Sequence, residues 1–116
     1  MTDFDSVFRK IIRNIGFEVD RDVHEGGEEE YFVWNFTNTE PHNFADDKEI
    51  SREYGIQLHA YLCMTTQPDD ILEYIREKMV ENGFEAPRER IIIDEVSGGK
   101  KRHLVWETYF VETKGE

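Results

Sequence analysis

Apolar residues recur at two different spacings along the chain, and the change in spacing separates helices from strands. Between residues 4 and 15 they return every three or four positions, which predicts an amphipathic helix with one buried stripe. Gly16 follows as a typical helix stop. The segment TTQPDDILEYIREKMVENGF predicts a second helix, in which Pro68 suits the first turn and Asn82-Gly83 closes the last.

Alternation of apolar and polar residues predicts the strands. Residues 17–24 alternate weakly, whereas 31–36 (YFVWNF) are apolar on both faces, as in a central strand or one whose second face meets another subunit. Residues 50–62 predict a long half-buried strand, with Gly55 as a candidate bulge. The closing RIIIDEV-SGGK-HLVWETYFVE is typical of a hairpin.

The order of these elements predicts a single α+β domain over residues 1–116, a length near the commonest domain size. We expect the order α-β-β-β-α-β-β, with both helices on one face of an antiparallel or mixed sheet of about five strands. Between the second and third strands, residues 37–49 are polar and without periodicity. They predict a long loop, and loops of more than about 12–15 residues are uncommon unless functional or disordered.

The charge balance narrows the choice of partners. The chain has 26 acidic residues against 14 Lys and Arg, a formal net charge of -12, which predicts no stable nucleic-acid binding. The single cysteine, Cys63, excludes an internal disulfide and a cysteine-based zinc site. The start MTDFDSVF does not have the pattern of a signal peptide, and no apolar run is long enough to span a bilayer. We therefore expect a soluble product made in a reducing cytoplasm, with no membrane partner.

No motif of catalytic or cofactor chemistry emerges. The four histidines are not paired at metal-ligand spacing, and Gly26-Gly27 and Gly98-Gly99 fit hairpin turns better than phosphate loops. We therefore expect no enzyme, no catalytic residue, no cofactor and no metal, although a site assembled only in three dimensions stays open.

Two surface features are candidates for contacts. The predicted sheet is aromatic on both faces, and two helices would leave one face exposed, which usually implies a partner. The candidate subunit interface comprises Tyr31, Trp34, Trp106 and Tyr109, although the two tryptophans are expected first of all in the core, since aromatic residues carry much of a small domain's burial. The basic hairpin tip comprises Lys100, Lys101 and Arg102, which either contact phosphates or an acidic neighbour, or only block edge-to-edge aggregation.

In the order and lengths of its elements, the chain resembles the tail-completion, or tail-terminator, proteins of long-tailed bacteriophages. The resemblance rests on an opening helix that ends IGFEV, the strand YFVWNF, the segment ADDKEISREYGIQLHAYL, a helix that ends ENGF and the closing strand LVWETYFVET. It implies a non-enzymatic α+β structural protein of a phage or prophage tail, made in the host cytoplasm and located in the virion.

The resemblance also implies partners and an assembly element. Such proteins form rings, commonly hexamers, at the head-proximal end of the tail, where they contact the major tail tube protein and the head–tail connector proteins. Residues 37–49 would then be the assembly loop, ordered on assembly, with Phe44 as a plausible anchor for a partner pocket. The candidate residues in it are Thr37, Glu40, His42, Phe44, Asp46, Asp47 and Lys48.

Two other classes of function remain as alternatives. An acidic inhibitor could mimic nucleic acid and occupy a basic site on another protein, although the carboxylates here are interleaved with Lys and Arg. A small enzyme or ligand-binding domain is the third reading, for which no residue argues.

Overall fold

In the computed structural model, which describes residues 2–46, 48–96 and 99–113, two helices lie on one face of a five-stranded mixed sheet. The predicted α+β class and element order are confirmed. In chain order the elements are α1 (Phe4–Arg13), β1 (Val19–Arg21), β2 (Tyr31–Ala45), β3 (Lys48–Cys63), α2 (Asp69–Glu81), β4 (Arg88–Val96) and β5 (Gly99–Thr113).

The strands are arranged in the order β1-β2-β3-β5-β4, so that β1 and β4 form the two edges. Only β1 runs parallel to its neighbour; the other three pairings are antiparallel. β1 is shorter than the predicted 17–24, because Asp22 adopts a φ of 66° that turns the chain away from β2. Phe17 precedes the strand and packs against the core instead.

The core lies between the helices and the sheet and is rich in aromatic rings. Phe4 of α1 contacts the rings of five residues at centroid distances of 5.2–5.9 Å; they are Trp34, Phe36, Tyr54, Phe84 and Phe110. Trp34 is 2% exposed and Trp106 is fully buried, and their ring nitrogens donate to the carboxylates of Asp5 and Glu89. Both tryptophans therefore belong to the core, as their size predicts, and the alternative that they form part of a subunit interface is wrong.

The predicted loop over residues 37–49 is also wrong, because β2 and β3 continue through this segment as a hairpin. Strand pairing runs from Tyr31 opposite Tyr61 to Ala45 opposite Lys48. Three register shifts interrupt it, and residues 37–45 are exposed whichever face they lie on. Since neither face is buried and the register is broken, no period-two pattern marks the strands. Asp46 turns the chain with a φ of 51°, and Asp47 lies outside the described residues.

Gly55 lies opposite the first of these irregularities. Thr37 is the extra residue between the pairs Phe36–Ile56 and Asn38–Gly55, so the predicted bulge is present, with its additional residue on β2. A Cβ at position 55 would collide with the side chains of Asn38 and Thr37. Glycine therefore leaves room for these two side chains against β3.

Candidate functional site

The outer half of the β2–β3 hairpin extends away from the helix-covered part of the molecule. We call residues 37–45 of β2 and 48–53 of β3 the arm. β2 has 15 residues and β3 has 16, which corresponds to about 50 Å of extended chain. The molecule measures 55 × 25 × 22 Å, and its radius of gyration is 15.7 Å, against about 13 Å for a compact chain of this length. The long axis of the molecule therefore runs along the β2–β3 hairpin.

A few side-chain contacts hold the arm together in addition to its backbone pairing. Arg52 forms an ion pair with Glu49 at 2.7 Å and donates to the Thr39 hydroxyl at 3.2 Å. The Ser51 hydroxyl, which is buried, lies 3.3 Å from Nδ1 of His42. Two of these contacts join β3 to β2, and the Arg52–Glu49 ion pair lies along β3 itself. The arm is therefore an ordered element with no apolar core of its own.

Large apolar side chains lie exposed near the end of the arm. Phe44 is 61% exposed and Ile50 is 39% exposed. The candidate residues Thr37, Glu40, His42, Asp46 and Lys48 are exposed on the same element. The structure thus brings the described members of the predicted assembly set together on one projecting hairpin. An exposed aromatic ring at such a point is suited to fill a pocket on a partner.

The sheet face opposite the helices, which we call the open face, is not the bare apolar surface that the sequence predicts. At its centre Val33 and Val105 are only 8% and 1% exposed, whereas Tyr109 and Val111, nearer one end, are 43% and 39% exposed. Tyr31 and Tyr109 remain from the predicted interface, but they lie opposite Tyr61 and Gly55 on neighbouring β3. Those positions are about 20 Å apart along the strand. The structure therefore does not gather the four candidates into one surface.

A row of stacked rings crosses one end of the open face. His24 stacks on Tyr31 at a centroid distance of 4.0 Å, Tyr31 on Tyr61 at 5.0 Å, and Tyr61 on His103 at 4.4 Å. The interplanar angles are 12°, 28° and 17°. Neighbouring strands thus pack ring against ring, which stabilises cross-strand pairs.

Two histidines that are distant in sequence meet beside this row. Nδ1 of His59 lies 2.9 Å from Nε2 of His103, whose Nδ1 lies 2.9 Å from the Asp94 carboxylate. On the other side, Nε2 of His59 lies 3.1 Å from the side-chain oxygen of Asn35. Burial is the main cause that lowers the pKa of both rings, to about 4 for His59, where the charges of His103 and Arg90 act in the same direction. The pair is therefore neutral at pH 7.

This histidine pair was missed by sequence reasoning because it depends on strand register. His59 lies opposite Val105, and His103 lies opposite Tyr61, so the two rings are diagonal neighbours on one face. The chain of contacts ends on an amide, and no serine, threonine or cysteine of the described residues hydrogen-bonds to either ring. Acyl transfer by an activated nucleophile therefore has no support here. No group of three or more metal-binding side chains occurs in the part of the chain that the structure describes.

Of the three cations at the predicted basic tip, two form hydrogen bonds within the molecule and one is exposed to solvent. Lys101 donates to the Glu29 carbonyl at 2.7 Å, and Arg102 donates to the Met64 carbonyl at 3.1 Å. Lys100 is exposed, while the turn residues Ser97 and Gly98 lie outside the described residues. Two of the three cations therefore hold neighbouring turns in place and do not form a free basic patch.

Two comparisons with known proteins give no match. No protein-family model matches this chain, and no curated protein matches it. Neither helix in the described ranges is both long enough and apolar enough to cross a membrane. What the protein does must therefore follow from its own geometry, in which the arm is the most distinctive feature.

Proposed function

We propose that this chain is a non-enzymatic structural subunit of a phage or prophage tail. In this proposal it assembles with copies of itself into a ring at the head-proximal end of the tail, where it joins tail to head. Its neighbours there are the major tail tube protein and the head–tail connector proteins. The resemblance of the sequence to tail-completion proteins supplies the family, and the arm supplies the physical support.

The arm is the observation that carries the proposal. It extends along the 55 Å dimension of the molecule and exposes Phe44 near its end. An apolar ring held far from its own core gains burial only from another molecule, and such a ring in a pocket is typical of an interaction hot spot. A projecting hairpin also lets one subunit reach a neighbouring subunit through a different surface, and heterologous contacts of this kind can close into a ring.

The net charge is compatible with the same role. A ring through which DNA passes benefits from carboxylates, because phosphates are repelled and do not adhere to it. The formal charge of -12 provides this repulsion, and Lys101 and Arg102 are engaged with backbone carbonyls. We therefore expect no micromolar binding of duplex DNA in a fluorescence-anisotropy titration at low salt.

The test is genetic and structural. Deleting the gene from the phage or prophage that carries it should produce heads and tails that fail to join, as seen by electron microscopy. Wild-type protein should restore joined particles, whereas Phe44→Ser should restore them poorly. A matched control is Val80→Ser on α2, which removes a comparably exposed apolar side chain, 51% against 61%, away from the arm.

The outcomes separate the proposal from its alternatives. Normal particles after deletion would contradict it. If Phe44→Ser restores particles as well as Val80→Ser does, the arm is not the contact element. Both variants should have the same midpoint of urea unfolding as the wild-type protein, since exposed substitutions usually change the free energy of unfolding by less than about 0.5 kcal/mol.

A further inference from the structure

The two edges of the sheet differ in how they are protected against pairing with another strand. On the β1 side, the edge strand has only three residues, and β2 beyond it carries Pro41 and register shifts. Short strands, proline and bulges are the usual devices that keep an edge from accepting a partner. This side of the sheet is therefore blocked.

The β4 edge has none of these devices. β4 has nine residues without proline, and its pairing with β5 is uninterrupted from Arg88 opposite Glu107 to Val96 opposite Gly99. Its centre is exposed and aliphatic: Ile91 is 53% exposed, Ile92 36% and Ile93 45%. Alternate residues of such a strand direct unpaired N–H and C=O groups outward, which makes it a template for strand addition.

The charges of β4 are arranged symmetrically about Ile92. Ile92 is flanked by Ile91 and Ile93. The next residue outward is Arg90 on one side and Asp94 on the other. If two copies pair antiparallel with Ile92 opposite Ile92, then Ile91 faces Ile93, and Arg90 faces Asp94 of the second copy at both ends. Opposite charges directly across antiparallel strands stabilise the pairing, whereas like charges oppose it.

The remaining contacts of β4 are compatible with this register. Arg90 forms no ion pair within the described residues, and the partner of Asp94 among them is the neutral ring of His103, whose Nδ1 lies 2.9 Å from the carboxylate. Glu89 would face Glu95 of the second copy, but it is neutralised by Arg76 at 2.9 Å and accepts a hydrogen bond from Trp106. The one unfavourable pair is thus already compensated within each copy.

We infer that two copies of this chain pair through the outer edges of β4, antiparallel and about a two-fold axis at Ile92, so that their sheets become one. A two-fold contact of this kind is closed, since each copy uses the same edge. The inference concerns the free protein and does not depend on the phage-tail proposal, because it uses β4 and not the arm.

A charge-swap experiment tests the pairing. Sedimentation velocity should show a monomer–dimer equilibrium for the wild-type protein. Arg90→Glu places a carboxylate opposite Asp94 of the second copy, and Asp94→Arg places a guanidinium opposite Arg90 of the second copy. Each variant alone therefore brings like charges together and should dimerise at least about tenfold more weakly.

Mixing the two variants restores opposite charges at both ends of the contact. The introduced glutamate of one variant faces the introduced arginine of the other, and the two native residues, Asp94 and Arg90, face each other at the second end. The mixture should therefore recover dimers.

Arg88→Glu is the matched control, since it makes the same charge change on the same strand. In the inferred register Arg88 faces Val96, so this variant should dimerise like the wild type. A second test uses Ile92→Cys on a Cys63→Ser background, which should form a disulfide between copies on oxidation, whereas Ile93→Cys, which faces Ile91, should form far less.

Several results would overturn the inference. The wild-type protein could stay monomeric at high concentration, or its dimer could be weakened by neither charge reversal. The mixture of variants could also fail to recover dimers, or cross-linking could be equal at positions 92 and 93. A higher oligomer that survives both reversals would assign self-association to another surface, such as the arm. These measurements of dimerisation are independent of the genetic test, so the joining of heads to tails can fail or succeed without changing their outcome.

Discussion

The inner and outer halves of the β2–β3 hairpin belong to the same two strands but are stabilised by different means. In the inner half, Phe32, Trp34, Ile56 and Leu58 are almost completely buried beneath α1 and α2. In the outer half, the arm depends on backbone pairing and contacts such as Arg52 with Glu49. Backbone pairing can therefore extend a sheet well beyond its hydrophobic core. The extension is free to contact other molecules because its removal would expose no core.

The first way to sharpen this comparison is to delete apolar volume from each half. Leu58→Ala removes a fully buried side chain from the inner half of β3. We expect it to lower the free energy of unfolding by about 2–5 kcal/mol, since it leaves a cavity in a packed core. Phe44→Ala in the arm should change it by less than about 0.5 kcal/mol. Urea unfolding followed by tryptophan fluorescence measures both; equal costs would mean that the arm is part of the core.

The boundary between the halves is tested at Gly55. Gly55→Ala would place a Cβ against the side-chain oxygens of Asn38 and Thr37, so both side chains must turn away and the hydrogen bond between them is broken, at a cost of about 1 kcal/mol. Amides of the arm should then exchange with solvent faster, whereas those of β3 beyond Ile56 should keep most of their protection.

Gly27→Ala is the control for this substitution, because a Cβ there would meet no atom within 4 Å. It should leave both stability and exchange unchanged. If Gly55→Ala behaves in the same way, the bulge does not require glycine, and the join between the two halves is looser than its geometry indicates.

A smaller effect should come from pH, through the histidine pair on the open face of the inner half. Burial lowers the pKa of His59 to about 4, and it lowers the pKa of His103 as well. Below the ordinary histidine pKa of about 6.5 the unfolded chain binds more protons than the native state, so stability should decline as the pH falls from 6.5 toward 4. His59→Gln, which cannot titrate, should show a shallower decline between pH 7 and pH 5 in urea unfolding. An unchanged slope would mean that His59 is not held neutral by the fold.

The part of the fold that could be predicted from sequence is the part with a buried face. Phe4, Phe8, Ile11 and Ile12 recur at helical spacing because α1 buries one stripe, and the alternation of 50–62 marks β3 because one of its faces is covered. Residues 37–45 of the arm are exposed on both faces, so nothing in their polarity distinguishes strand from loop, whereas residues 50–53 continue the alternation of β3. The pairing of residues 37–45 is visible only once the register of β2 with β3 is known.

The candidate site was only partly predictable for the same reason. Phe44 can be singled out from the sequence, since a lone aromatic in a polar segment is visible in one dimension, and the structure places it exposed on the arm. For Trp34 and Trp106, alternation leaves both the core and an interface open, because it reveals that a strand has two faces but not which face the helices cover. His59 and His103 were considered separately, because their contact depends on how β3 aligns with β5.

The most direct test of the arm's role is to remove it and measure folding and assembly in the same protein. Glu40 and Glu53 lie opposite each other, so an Asn-Gly turn can join them and replace residues 41–52. Because that segment contributes no buried hydrophobic residue to the core, we expect the shortened protein to fold, with the amides of β3 from Ile56 onward still protected. We also expect it to fail to join heads to tails. A shortened protein that unfolds would show that the arm is structural, and one that folds and still completes particles would contradict the central claim.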